Sequence, residues 1–196
     1  MPKRPFPSKA ASGMVRIIAG QYRGRRLPVP SVDGLRPSGD RVRETVFNWL
    51  QNVVPGARCL DAFAGSGALG FEAASRYAQS VTLVESDRTA AKALAASQSL
   101  LGAESVDVVN LPFEAFVATS PAPFDLVFVD PPFHHTDYAA VLSAVQTILS
   151  PSGLVYLECS ATLDDAEAMI PHGWGIQRDK NFGDVRVRLC SQSKQA

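Results

Sequence analysis

The sequence predicts an α/β protein: a parallel sheet with helices on both faces, preceded by a small basic extension. Two observations lead there. From Arg58 onward, five short apolar runs alternate with stretches of helical periodicity, and two later β-like runs follow one another with no helix between them. Strand, helix, strand in alternation implies parallel strands joined by crossover helices, whereas adjacent strands without a helix imply an antiparallel pair.

Residues 15–27 read as two short strands around Gly20 and Gly24, followed by the loop PVPSVDGLRPSG. Val42, Val46, Trp49, Leu50 and Val53 then recur at helical spacing after a cap at Ser38 or Asp40. They predict an amphipathic helix of about four turns that ends before Pro55-Gly56. The runs ARCLDAF, VTLVES, VDVVN, DLVFVD and LVYLEC are the five strands, separated by four helical segments. The clearest helix covers residues 137–149, where Tyr138, Val141, Leu142, Val145, Ile148 and Leu149 form one stripe bounded by Pro151 and Gly153. A last helix is expected near residues 163–170. Residues 175–180 and 185–190 are expected to pair antiparallel at the sheet edge. The domain boundaries that follow are a flexible basic arm over 1–13, the hairpin and helix extension over 14–56, the main domain over 57–190, and a frayed tail over 191–196.

The length of 196 residues suits one domain, and 46% hydrophobic against 19% charged residues suffices for a core. No stretch of roughly 18 apolar residues exists to span a bilayer, and the leading residues lack the apolar region of a secretory signal. A cytoplasmic monomer without a membrane partner is expected. Cys59, Cys159 and Cys190 are odd in number and lack CxxC spacing, so they read as buried thiols, not a disulfide framework or zinc site.

The formal net charge of zero conceals a split. Residues 1–50 carry 10 basic and 3 acidic side chains, a net of +7, and the rest carry 9 and 16, a net of −7. The leading cations include Arg16, Arg23, Arg25, Arg26, Arg36, Arg41 and Arg43, and a guanidinium fork suits phosphate better than a lysine does. They are candidate polyanion-binding residues. The competing uses are a solvated basic face and, for Arg36, Arg41 and Arg43, a cofactor carboxylate or local pairing with Asp40 or Glu44.

The chemistry-bearing residues fall at the ends of the predicted strands. After the first comes Asp61-Ala-Phe63-Ala-Gly65-Ser66-Gly67-Ala-Leu-Gly70, a glycine-rich turn into a helix. Its letters fit GxGxxG, so a dinucleotide is one candidate ligand. Asp61 at the carboxyl end of the strand would repel a diphosphate and attract a cation such as S-adenosylmethionine (SAM), with its ammonium and sulfonium. Capping of the turn is the plainer use of that carboxylate. Glu85 ends the second strand, 24 positions after Asp61 and 20 after Gly65, where an acid can accept from both ribose hydroxyls of NAD or SAM alike. Phe63 and Ser66 in the loop, Ser86 beside Glu85, and Asn110 after the third strand complete the cofactor candidates.

The fourth strand delivers Asp130-Pro131-Pro132-Phe133 to the same edge. Two prolines remove backbone donors and stiffen the turn, leaving the Asp130 carboxylate and the Pro131 carbonyl as fixed acceptors for an exocyclic amine, with Phe133 available to stack on a base. His134 and His135 follow; they could touch RNA, but no third ligand pattern accompanies them, and no metal is expected. Glu158 and Cys159, ending the fifth strand, read as structural.

These positions resemble the class I SAM-dependent methyltransferases that act on amino groups, over residues 57–190. More narrowly, RIIAGQYRGRRL, LRPSGDRVRETVFNWL, DAFAGSGALGFEAASR and VFVDPPF resemble the RsmD family of bacterial 16S ribosomal RNA guanine-N2 methyltransferases. The resemblance implies a seven-stranded Rossmann-like fold, SAM as methyl donor, and one guanine of 16S ribosomal RNA as target. The shortage of chain for a separate target-reading domain leads to the expectation of a substrate that supplies its own shape, a partly assembled small ribosomal subunit. The resemblance further implies that Asp61, Gly65 and Gly67 form the SAM loop, that Glu85 holds the ribose, and that Asp130 to Phe133 form the catalytic loop. Ser38 stands where threonine is commoner in the family, and His134-His135 stand where it varies. Other readings kept open are an amino-methyltransferase of another base or a protein amide, an NAD-dependent oxidoreductase, and a non-enzymatic RNA-binding assembly factor.

Overall fold

The computed structural model describes residues 13–29, 39–119, 121–132, 136–162 and 170–193. The helix expected near residues 163–170, the cap at Ser38, most of the 1–13 arm and the end of the tail lie outside them.

The extension opens with β1 (Met14–Arg16) and β2 (Arg26–Pro28), an antiparallel pair in the register Val15 to Leu27. Helix α1 (Asp40–Trp49) follows. It has 10 residues, fewer than the four turns expected, because the chain breaks into turns after Trp49. Asp40 is its first residue and Gly39 takes the cap position, without a side-chain capping bond. Its inner face is Arg43, Val46 and Phe47. Phe47, outside the expected stripe, is fully buried with its ring 5.8 Å from that of Phe128.

The main domain alternates as expected: β3 (Arg58–Asp61), α2 (Ala68–Ser75), β4 (Ser80–Val84), α3 (Arg88–Leu101), β5 (Val106–Val109), α4 (Phe113–Val117), β6 (Phe124–Val129), α5 (Tyr138–Ile148), β7 (Leu149–Ser160), β8 (Trp174–Phe182) and β9 (Val185–Gln192). The sheet has seven strands in the order β5-β4-β3-β6-β7-β9-β8. The five strands from β5 to β7 are parallel, and β9 lies antiparallel between β7 and β8, leaving β8 at the edge. Helix α5 matches its expected stripe, with Asp137 accepting from the Ala140 N–H at 3.1 Å as N-cap. Pro151 and Gly153 do not form a loop beyond it. The backbone turns extended at Leu149, and both residues lie inside β7, beside a register shift opposite Phe124 and Leu126.

Alternating side chains of the parallel strands fill two cores. Leu83, Phe128 and Tyr156 pack with Phe47 of α1 and Phe71 of α2 on one face. Val127, Val129 and Leu157 pack with Phe116 of α4 and Leu142 of α5 on the other. The three cysteines are unpaired and buried, and burial pushes the Cys59 thiol up to about 12. No helix among the described residues is long and apolar enough to cross a membrane.

Candidate active site

Parallel pairing gathers the carboxyl ends of β4, β3, β6 and β7 into one rim. Asp61, the last residue of β3, is the register partner of Leu83 on one side and Phe128 on the other. Glu85 and Asp130 lie two residues beyond those partners, so the period-2 pleat puts all three carboxylates on one face of three adjacent strands. This is where open α/β sheets receive ligands.

Asp61 is 1% exposed and accepts from the Gly70 N–H at 3.0 Å. It therefore does cap the turn of the first helical residues, which does not discharge it. Burial pushes its carboxyl up to about 7, with the charge of Glu85 adding to the rise and backbone N–H groups of Gly70 and Phe63 opposing it. Half-buried Glu85 braces the glycine loop from the next strand: Oε2 accepts from the Gly65 N–H at 2.8 Å, and Oε1 from the Asp87 N–H at 2.7 Å. Asn110 in turn donates to the Glu85 carbonyl at 2.8 Å and to the Ser86 carbonyl at 3.1 Å, pinning that strand end from β5. Gly67 must be glycine, since φ is 76° and a Cβ would come within 2.6 Å of Phe71. Ser66 is buried, and the Phe63 ring leans on Phe113 with centroids 5.3 Å apart.

Asp130 is half-buried just past β6, Pro131 is buried and Pro132 exposed, and the Pro132 carbonyl accepts from the Thr136 hydroxyl at 2.6 Å. The charge of Asp130 helps hold the Tyr138 and Tyr156 phenols above their ordinary values, after burial itself. Phe133, His134 and His135 lie outside the described residues.

The arginines divide. Arg16, Arg23, Arg25, Arg26 and Arg41 are exposed, Arg16 pairing with Asp40 at 3.3 Å and Arg25 donating to the Leu100 carbonyl at 3.0 Å. Arg36 lies outside the described residues. Arg43 corrects the expectation of a phosphate contact: its side chain is 1% exposed, paired to Asp40 at 2.7 Å and facing Glu72 at 3.6 Å, and it donates to the Arg16 carbonyl at 2.9 Å. Its position on α1 turns it into the seam with α2, out of reach of RNA. Sequence reasoning also missed Glu72, which is fully buried and binds the Ile18 and Ala19 N–H groups at 2.7 and 3.1 Å. The signal was an acid alone in the otherwise small and apolar run ALGFEAAS.

The donor set fits a cationic nucleoside. Two carboxylates on neighbouring strands face a glycine turn, and among the described residues neither Asp61 nor Glu85 forms an ion pair with an arginine or lysine. A pyrophosphate would meet uncompensated negative charge there, whereas a sulfonium and an ammonium would be drawn in. Among the described residues, no group of three or more His, Cys, Asp or Glu is placed to hold a metal. Seven strands in this order, with this rim, define a class I SAM-dependent methyltransferase.

A family model described as conserved hypothetical protein 95 matches residues 15–191. The chain is 43% identical over 191 residues to the ribosomal RNA small subunit methyltransferase D of Escherichia coli (strain K12), covering 96% of each. It is 45% identical over 186 residues to the protein of the same name from Haemophilus influenzae, covering 91% of this chain and 94% of that one. A solved Escherichia coli protein superposes with TM-score 0.83 at 42% identity, covering 93% of this chain and all (100%) of the other. A solved Haemophilus influenzae protein superposes at 0.77 with 38% identity and the same coverage. The chain belongs to the RsmD family, and it is an enzyme that uses SAM.

Proposed function

We propose that the protein methylates the exocyclic N2 amine of a guanine in 16S ribosomal RNA. The observation that carries this is the single rim on which Asp130 stands one strand from Asp61 and two from Glu85. A nitrogen held at Asp130 is thereby set beside a cofactor held by the other two. The names borne by the Escherichia coli and Haemophilus influenzae relatives support ribosomal RNA as the substrate class.

In this reading Glu85 accepts the ribose hydroxyls, Asn110 and Ser86 border the adenine, and the loop from Asp61 through Phe63, Gly65, Ser66 and Gly67 receives the methionyl portion. Bound there, SAM supplies a methyl group made electrophilic by its sulfonium. Asp130 and the Pro131 carbonyl accept the two amine hydrogens, which aims the nitrogen lone pair and removes the entropy of finding the attack angle. As the nitrogen gains positive charge, the Asp130 carboxylate stabilises it and can accept the proton it must then lose. Pro132 stiffens the turn, and Phe133 stacks on the base. Arg16, Arg23, Arg25, Arg26, Arg36 and Arg41 contact RNA phosphates.

Tritium transfer from labelled SAM to unmodified small subunits and to naked 16S RNA, followed by mapping of the methylated nucleoside, tests the reading. N2-methylguanosine at one position is the expected product, and a label on any other atom overturns it. Asp130→Ala should lower transfer by about 10²-fold or more, while titration calorimetry shows SAM affinity nearly unchanged. Equal losses in both would remove Asp130 from the amine-holding role.

A further inference from the structure

A second carboxylate stands beside Asp130. Val129 of β6 is the register partner of Leu157 of β7, so Asp130, just past the end of β6, and Glu158, within β7, stand at the same level with backbones about 5 Å apart. Each lies two residues beyond another register pair, Phe128 and Tyr156, and so on the face those rings occupy. Glu158 is 5% exposed. Its Oε2 accepts from the Tyr156 hydroxyl, and the Tyr156 ring is fixed against Phe128 at a centroid distance of 5.9 Å. The two acids also share a field: Glu158 and Asp130 both oppose ionisation of Tyr156 and of Tyr138.

The Asp130 turn cannot by itself choose among bases, because guanine, adenine and cytosine all carry an exocyclic amine. What differs is the ring nitrogen beside it. Guanine presents an N1–H donor next to its N2 amine, whereas the corresponding ring nitrogens of adenine and cytosine only accept.

We propose that Glu158 selects guanine, its carboxylate accepting the N1–H while Asp130 and Pro131 hold the amine. This rests on the amine-transfer reading above and deepens it by naming what reads the base. The Tyr156 hydroxyl orients the carboxylate from below. Two acceptors on neighbouring strands match two adjacent donors on one base edge. Adenine or cytosine would set a ring lone pair against the same carboxylate, a repulsion that rejects them.

The test compares guanine with 2,6-diaminopurine at the nucleotide first mapped with the wild-type protein. The analogue keeps the 2-amine, but its N1 only accepts. The wild-type protein should methylate guanine faster by about 10- to 100-fold. Glu158→Gln keeps an acceptor for the Tyr156 hydroxyl and can donate to the analogue's N1, so it should shrink that ratio by about tenfold or more. A wild-type protein indifferent to the analogue, or a ratio unchanged in Glu158→Gln, overturns the proposal. A purely structural Glu158 would slow both substrates alike. Should Glu158→Gln fail a thermal-melt check of folding, Tyr156→Phe decides, since it frees the carboxylate from its anchor: a smaller ratio supports the proposal and an unchanged one sinks it. Absence of N2 methylation by the wild-type protein defeats the amine-transfer reading itself, and it is seen before any variant is made.

Discussion

Burial holds the Asp61 carboxyl at about 7, so it exchanges a proton in the range where the enzyme is handled. The folded value lies above the ordinary 3.8, so the native state prefers the protonated form. This contribution to stability is complete below about pH 4 and fades as pH rises through 7. A cation placed beside the group reverses the preference. SAM affinity should therefore climb with pH up to about 7 and level off above it, with proton release on binding below that point. Calorimetry between about pH 6 and 8.5, in buffers of different ionisation enthalpy, measures both. Asp61→Asn should bind SAM more weakly and lose the climb, leaving only the titration of the SAM amino group. A variant with the wild-type pH profile would show that Asp61 does not face the cofactor's charge. Asp61, Glu85 and Asp130 were all legible in the sequence, because each directly follows or ends an apolar run and parallel pairing aligns such ends. The N–H groups that Asp61 and Glu85 accept from were not, since those depend on how the loop closes.

Helix α2 works at both ends. Its first turn carries the glycine loop, and its last turn holds the basic extension. Glu72 takes the Ile18 and Ala19 N–H groups and the Arg76 guanidinium, the last at 2.8 Å. Ser75 accepts from the Tyr22 N–H at 2.9 Å, and its backbone carbonyl accepts from Gln21 at 2.8 Å. Gly20 sits so close that a Cβ would lie 1.8 Å from the Ser75 carbonyl oxygen, with φ at 83°. Truncating one member of a buried ionic cluster strands the charges that faced it, at a cost of about 3–5 kcal/mol. Glu72→Ala should thus lower the urea midpoint markedly and speed amide exchange across residues 14–28, more than Arg76→Ala does. Unchanged exchange there would mean that the extension is held by its apolar contacts alone. The expected helix and hairpin were readable from periodicity, but this latch was not. It joins residues more than 50 positions apart through an acid that no local pattern explains.

At the scale of the molecule, the exposed arginines spread over the extension from one end of the sheet to the other. The loop at Gly20 and the Arg25 guanidinium lie against the carboxyl-terminal ends of α2 and α3, which feed the starts of β4 and β5 and so sit opposite the rim that carries Asp61, Glu85 and Asp130. Arg16 and Arg41 lie at the start of α1, whose far end leads into β3, so they are nearer that rim. Replacing Arg16, Arg26 and Arg41 together by Glu should weaken RNA binding and reduce the slope of log affinity against log salt by about 2–3. Filter binding across a salt series reads this, and an unchanged slope would make these side chains a solvated face.

The sequence by itself determined the α/β class, the five parallel strands, the edge pair and the strand-end acids, because strand and helix periods and the residues that stop them are local properties. Only the tertiary structure decided which charges meet. It turned Arg43 inward to face Glu72 and set Glu158 beside Asp130, because a charge placed between packed elements takes its role from whatever the neighbouring element brings close.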